Sequence, residues 1–206
     1  MNRAMWGIFG LLVVFAIIVV ASYRFSTKQH MEVVEHKPPL ADIPGAAFFE
    51  LTAMQSEAGK KFAQYMQRQT QQFDMPTYHL DVTLNDKNFF RLLAEAEARP
   101  GENPYTLYKT YNNRFDFEKR AVFTVMMHSA AGHLFDYDLK RFVVLRADGV
   151  EYKPLEWKES NRSSEFHRRG ILTFSIPSEV KGLTLILRDT SGRMPDKTLV
   201  FLPGKE

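Results

Sequence analysis

Three histidines and two methionines are the residues of this 206-residue chain whose types and spacing are most suggestive of chemistry. The run Met126-Met127-His128 is followed by His133 and, much later, by His167. Thioether sulfur and imidazole nitrogen together suit Cu(I). If neighbouring strands bring His128 and His167 together, these two residues and Met126 form a candidate copper site. The alternative is that Met127 packs in the core and the histidines are ordinary surface residues.

Other arrangements of reactive residues are poorly matched to catalysis. Ser129 follows His128 directly, but adjacent residues on a strand point to opposite faces of a sheet. The chain has no cysteine, which removes thiolate nucleophiles, thiolate metal ligands and disulfides. It also lacks a phosphate-binding glycine loop and a His-Glu zinc motif. We therefore expect a binding protein rather than an enzyme, with no cofactor apart from the copper alternative.

The elements that must position these histidines are mainly β-strands. Tyr78, Leu80, Val82 and Leu84 alternate with polar residues, which is the period of a half-buried strand. Asp148-Gly149 is a strong hairpin signal. Many short strands joined by turns predict an antiparallel sandwich or barrel over 75–206, with Phe123 and Trp157 in its central packing. The later predicted strands are Thr106–Tyr111, Ala121–His128, Arg141–Arg146, Glu151–Lys153, Gly170–Ile176, Leu183–Arg188 and Thr198–Leu202.

Two helices are predicted beside the strands. Apolar residues recur every three or four positions between Ala46 and Phe73, which indicates an amphipathic helix over 45–74. This helix either packs within its own chain or pairs with a second copy as a short coiled coil, giving a homo-oligomer. A shorter helix, 87–98, is predicted inside the β-rich domain, with Asn85 or Asp86 as its N-cap.

Three segments resemble immunoglobulin-like β-sandwich domains of bacterial envelope proteins. They are Asp136-Tyr137-Asp138-Leu139, Glu151-Tyr152-Lys153-Pro154-Leu155-Glu156-Trp157 and His167-Arg168-Arg169-Gly170-Ile171-Leu172-Thr173-Phe174. The resemblance covers about 121–203 and concerns a hairpin, a core tryptophan and the start of a strand. It implies an immunoglobulin-like fold, and it implies an adhesive or assembly role without any particular activity.

The N-terminus predicts a membrane anchor. Residues 5–22 contain no charge, and a bilayer core about 30 Å thick needs about 20 apolar residues of helix. We predict a signal-anchor over 1–22 and a proline-stiffened tether over 23–44, although cleavage before Ser22 is an alternative. The membrane-anchor residues in this prediction are Trp6, Phe9, Leu11, Phe15 and Ile18.

Net charge and the basic residues restrict the partners. The net charge is only +3, which argues against nucleic acid as a partner. Basic residues gather at Arg162, His167, Arg168 and Arg169, within a predicted loop. Three alternatives are open for this loop, namely contact with an acidic partner, contact with anionic lipid, or exposure to solvent alone. The sequence therefore predicts a single-pass cell-membrane protein whose C-terminal domain is extracytoplasmic. That domain would bind an envelope or membrane protein as an accessory, scaffold or assembly factor.

Overall fold

The computed structural model describes residues 43–46, 56–75, 77–177, 180–188 and 196–203. All of them belong to one unit, Ala41–Glu206. The helices within these residues are α1 (Glu57–Gln69), α2 (Lys87–Glu97), α3 (Pro104–Phe115) and α4 (Leu139–Phe142). The strands are β1 (Thr70–Asp74), β2 (His79–Leu84), β3 (Arg120–His128), β4 (Val143–Ala147), β5 (Val150–Tyr152), β6 (Glu156–Glu159), β7 (His167–Ser175), β8 (Leu183–Leu187) and β9 (Lys197–Phe201).

The strands form two antiparallel sheets. Sheet A has the order β1-β2-β3-β7-β6, and sheet B has the order β5-β4-β8-β9. Among the described strands, the consecutive pairs β1–β2 and β4–β5 are antiparallel neighbours. The fold is therefore mixed α/β, with two antiparallel sheets and helices, and the predicted hairpin at Asp148-Gly149 is confirmed by the positive φ of both residues.

An apolar core lies between the two sheets. Leu80 and Phe123 of sheet A belong to the same buried cluster as Leu145 and Leu185 of sheet B. The rings of Phe123 and Phe201 meet edge to face with centroids 5.3 Å apart, so they join the sheets directly. This is a sandwich-like arrangement, and the predicted central position of Phe123 is confirmed. Trp157 lies instead on the edge strand β6, which the sequence did not predict, and is only partly buried.

The helices cover part of the other face of sheet A. α1 packs on α2 and on β1 and β2, and α2 packs on α3. Phe62 and Phe89 join the first two helices with centroids 5.0 Å apart. Thr83 and Thr124, which alternate with core residues, are buried beneath this layer. Two arrangements were predicted for the amphipathic helix. The apolar face of α1 packs within its own chain, which is the first of them.

The predicted helix over 45–74 is wrong at its C-terminal end. Ser56 caps α1 by accepting a hydrogen bond from the Gly59 N–H, and the helix ends at Gln69. Thr70 then begins β1, because its hydroxyl bonds both the Met66 carbonyl and the Thr83 hydroxyl, at 2.8 Å each. Strand pairing with β2 outweighs the helical period of the last five residues.

The predicted strand Thr106–Tyr111 is also wrong, since these residues lie in α3. Asn103 caps the helix by accepting from the Tyr105 N–H, and Pro104 occupies its first turn. Leu107, Tyr111 and Phe115 are buried at a spacing of four, which is a helical period. α2 was predicted, and Asp86 is its N-cap.

The predicted anchor over 1–22 and most of the predicted tether, 23–42, lie outside the described residues, as do 47–55 of the predicted long helix. Within the described residues, no helix is long and apolar enough to cross a bilayer.

Candidate functional site

His128 and His167 lie side by side at one end of sheet A. They are direct partners in the pairing of β3 with β7. The Ser129 N–H donates to the Phe166 carbonyl, which makes His128 and His167 a non-hydrogen-bonded pair, with Cα atoms about 4.5 Å apart. Their rings are exposed, and His128 Nδ1 and His167 Nε2 are 2.8 Å apart in a hydrogen bond. The structure thus brings together two of the three predicted metal ligands.

A third histidine continues the same row. His79 on β2 is the register partner of His128, so its side chain leaves sheet A on the same face. Its Nδ1 is 2.6 Å from Asp74 Oδ1, and its Nε2 is 3.1 Å from Asp81 Oδ1. The hydrogen bond with Asp74, aided by Asp81, raises the pKa of His79 despite the opposing effect of burial. Sequence reasoning assigned His79 only to the polar side of its strand, because strand register cannot be read from one sequence.

Met126, the third predicted ligand, lies one row further along the strands. It is two residues from His128 on the same face and is partly buried. Its register partners are Asp81 on β2 and Arg169 on β7. Met127 faces the core, as the sequence alternative proposed. Among the described residues, no group of three or more His, Asp or Glu side chains is arranged to hold a metal ion.

Arg168 joins the loop that follows β3 to the end of β6. It is buried, and its guanidinium donates to both carboxylate oxygens of Glu159, at 2.9 and 2.7 Å. Its Nη1 donates to the carbonyls of Leu134 and Tyr137, at 2.8 and 2.6 Å. Burial would raise the pKa of Glu159, but the hydrogen bonds and charge of Arg168 outweigh burial and hold that pKa below its ordinary value.

Two neighbouring loops present two exposed phenylalanines. They are residues 129–137, which Arg168 bonds directly, and residues 160–166, and they are named the clasp loops below. Phe135 is 57% exposed and Phe166 is 42% exposed. The Leu134 N–H donates to the Glu165 carbonyl, so the loops are joined through their backbones. The predicted basic group is smaller than the sequence indicated, because Arg168 is directed inward while Arg162 stays exposed.

The other polar residues singled out in the sequence have structural contacts. The buried Ser129 hydroxyl donates to the Thr77 carbonyl at 2.8 Å. Asp138 caps α4 by accepting a hydrogen bond from the Lys140 N–H. Asp136 Oδ2 lies 3.9 Å from Nδ1 of His133. His133 is therefore outside the row that His79 begins.

The comparisons with known proteins add little to this geometry. The chain matches no protein-family model, and it matches no curated protein. Among solved structures it is similar to a DUF4426 family protein from Pseudomonas aeruginosa PAO1, at 9% identity and a TM-score of 0.33. That similarity covers 67% of this chain and 98% of the other. The two antiparallel sheets of this chain, with their added helices, are by themselves consistent with a β-sandwich.

Proposed function

We propose that this chain is a membrane-anchored extracytoplasmic module that binds another protein through the clasp loops. The observation that carries the proposal is the pair of exposed aromatic side chains, Phe135 and Phe166. The buried Arg168 bonds the loop of Phe135, and the Leu134 N–H joins that loop to the loop of Phe166. Aromatic anchors supply much of the energy of protein interfaces. Loops positioned by a rigid scaffold are frequent sites of binding.

The surroundings of the two phenylalanines carry both signs of charge. Arg162 and Lys140 are exposed on or beside the clasp loops, and so are Asp136 and Glu165, which adjoin Phe135 and Phe166 in the chain. An apolar segment of a protein would match the two aromatic side chains. The proposed role is that of an accessory, scaffold or assembly factor, without catalysis.

The strand order supports an immunoglobulin-like sandwich as the finer description of the fold. The sequence β2-β3-β7-β6 in one sheet and β5-β4-β8-β9 in the other corresponds to strands A-B-E-D and C′-C-F-G of such domains. In those domains, loops at one end of the sandwich form the recognition surface. β1 and the α2–α3 insertion would be additions to that arrangement.

The anchor rests on the sequence. Residues 5–22, including Trp6 and Phe15, are uncharged and long enough to span a bilayer. The proposal is a single span with the C-terminal domain on the extracytoplasmic side. Self-association through 45–74 is a weaker proposal, because the apolar side chains Phe62 and Met66 of α1 are already buried within the chain.

Site-specific photo-cross-linking tests the binding proposal in native membranes. A benzoylphenylalanine in place of Phe135 or Phe166 should capture one discrete membrane or envelope protein. The matched control is the same group in place of Val150, which is 54% exposed on the β4–β5 hairpin. Phe135→Ser together with Phe166→Ser should abolish co-purification of that protein, whereas Val150→Ser should not. Equal capture from all three positions, or no capture, would contradict the proposal.

Metal binding is a second candidate function, favoured by the 2.8 Å separation of His128 Nδ1 and His167 Nε2. Tetrahedral ligands with metal–nitrogen bonds of about 2.0–2.1 Å have nitrogens about 3.3 Å apart, so a small movement would admit an ion. With Met126, these residues are the copper site that the sequence predicts. Calorimetric titration with copper and zinc tests it, and micromolar or tighter binding that is lost in His128→Ala and His167→Ala is expected.

A further inference from the structure

We propose that the protein bound by the clasp loops is a second copy of this chain. The two copies meet about a two-fold axis, with Phe135 and Phe166 of each copy at the centre of the interface. This choice of partner rests on the proposed function of the clasp loops. It is supported by the way the two aromatic rings are held and by the balance of the charges around them.

Both phenylalanine rings are held from one side by their own chain. Cζ of Arg168 lies 5.6 Å from the centroid of the Phe135 ring. The Phe166 ring lies against Gly132, since a Cβ atom at Gly132 would be only 3.3 Å from Cε1 of Phe166. Backbone hydrogen bonds also join the two clasp loops to each other. Because the surface is ordered before binding, little conformational entropy is lost when a partner binds to it.

The exposed charges near the two phenylalanines are balanced. Asp136 and Lys140 lie in and just after the first clasp loop, and Arg162 and Glu165 lie in the second. Within the part of the chain that the structure describes, Lys140, Arg162 and Glu165 form no ion pair. Asp136 has only the imidazole of His133 nearby, with Oδ2 and Nδ1 3.9 Å apart. These four charges are therefore available to a partner.

This balance makes the surface complementary to itself. A two-fold interface brings the same patch of both copies together, so every charge must find its opposite on that same patch. A surface with exposed charges of both signs meets this condition, whereas a surface of one sign would repel a second copy. The neighbouring pairs leave the balance unchanged, because Asp138 binds Arg141 at 3.2 Å and Glu159 binds Arg168 at 2.7 Å.

The size of the patch sets the expected strength of the dimer. The clasp loops and α4 comprise 129–142 and 160–166. This is at the low end of the about 20–30 residues that each partner contributes to a standard interface. We therefore expect a dimer that dissociates on dilution and is weakened by salt. Anchoring of both copies in one membrane would raise their effective concentration and favour the dimer.

Reciprocal charge variants of the full-length protein in detergent micelles test this partner. Lys140→Glu with Arg162→Glu makes the clasp surface acidic, and Asp136→Lys with Glu165→Lys makes it basic. Sedimentation equilibrium should show dimers of the wild type, and each double variant should dimerise about 10-fold or more weakly. An equimolar mixture of the two double variants should form heterodimers at least as tight as the wild-type dimer. Lys181→Glu, at an exposed lysine outside the clasp loops, is the control and should leave dimerisation unchanged.

Three results of this experiment would overturn the inference. They are a wild type that stays monomeric at every concentration, dimers that persist in both double variants, and a mixture of folded double variants that forms no heterodimer.

Photo-cross-linking in native membranes gives a second readout without any charge change. Benzoylphenylalanine in place of Phe135 or Phe166 should capture a second copy, seen as a band of twice the mass of the chain. Capture of a different protein alone would overturn the second copy as the partner and leave the proposed function standing. No capture at all would contradict both.

Discussion

Arg168 and Glu159 form a bidentate ion pair beneath the clasp loops. Nε of Arg168 donates to Oε1 of Glu159 at 2.9 Å, and Nη2 donates to Oε2 at 2.7 Å. The same guanidinium bonds two loop carbonyls, so one buried side chain joins β6, β7 and the loop of Phe135. This contact explains how an exposed aromatic side chain can be presented on a fixed backbone.

Arg168→Met should therefore lower the free energy of unfolding substantially. Removing one partner of a buried ion pair costs about 3–5 kcal/mol, and the low end applies here because Glu159 is partly exposed and can be hydrated again. Urea denaturation followed by Trp157 fluorescence measures it. Arg146→Met is the control, because Arg146 forms an exposed ion pair with Glu151 worth about 1 kcal/mol or less. Equal losses in the two variants would contradict the role of Arg168.

Glu97 should make the protein less stable as the pH rises. Burial raises the pKa of Glu97 above 4.5, although the hydrogen bond from the Tyr111 hydroxyl partly opposes this effect. The unfolded chain then loses this proton at a lower pH than the folded chain. Stability present below pH 4.5 is consequently lost as the pH rises through the folded-state pKa.

The measurement is the free energy of unfolding of the wild type and of Glu97→Gln, between about pH 4 and pH 8. The glutamine can still accept from Tyr111 and carries no charge, so the variant should gain stability relative to the wild type as the pH rises. Glu95→Gln is the control, because Glu95 is a more exposed residue of the same helix, paired with Arg91. A constant difference between wild type and Glu97→Gln at every pH would count against a buried carboxyl group.

Asp74→Asn should lower the pKa of His79 towards its ordinary value. The hydrogen bond with Asp74 is the largest cause of the raised pKa, and an amide cannot supply the same negative charge. The protonated ring stabilises the fold below pH 6.5, and this contribution is lost as the pH rises through the raised pKa. NMR titration of the His79 ring measures the shift. Asp136→Asn, beside His133, should leave the pKa of His79 unchanged. An unchanged pKa of His79 in Asp74→Asn would contradict the role of Asp74 in raising it.

Gly170→Ala should be destabilising because of a close approach between strands. A Cβ atom at this position would lie 2.5 Å from the Lys158 carbonyl oxygen and 2.6 Å from Cη2 of Trp157. The carbonyl belongs to β6 and cannot move without disturbing the pairing of β6 with β7. We expect a loss of about 1–3 kcal/mol in thermal or urea unfolding. Gly182→Ala, with nothing within 4 Å, should stay within about 0.5 kcal/mol of the wild type.

Local patterns in the sequence predicted much of the fold. Alternation located β2, β3, β7, β8 and β9 to within a few residues, because each strand has one face in the shared core. α3 was missed although Asn103-Pro104 is a helix start, because its many aromatic residues were assigned to a strand. β6 is too short to show a long alternation of apolar and polar residues, so the period of two could not reveal it.

The candidate site was only half predictable for a different reason. His128 and His167 were chosen from residue type, and their contact depends on the register of β3 with β7. The position of His79 beside His128 and the hydrogen bonds of Arg168 depend on contacts between distant segments. No local pattern in the sequence encodes such contacts. An arginine directly after a histidine gives no sign of which of the two is buried.

The α2–α3 insertion affects the order in which the parts of sheet A form during folding. β2 and β3 are central neighbours, yet residues 85–119 separate them in the chain. The stacked rings of Phe90 and Phe117, with centroids 4.4 Å apart, bring the ends of that segment together and close a shorter loop than the pairing of Leu84 with Phe123. Contacts that close shorter loops form faster than pairings between more distant residues. We expect the helical hairpin to fold before β2 meets β3, so that mutations in its aromatic cluster slow folding more than they speed unfolding.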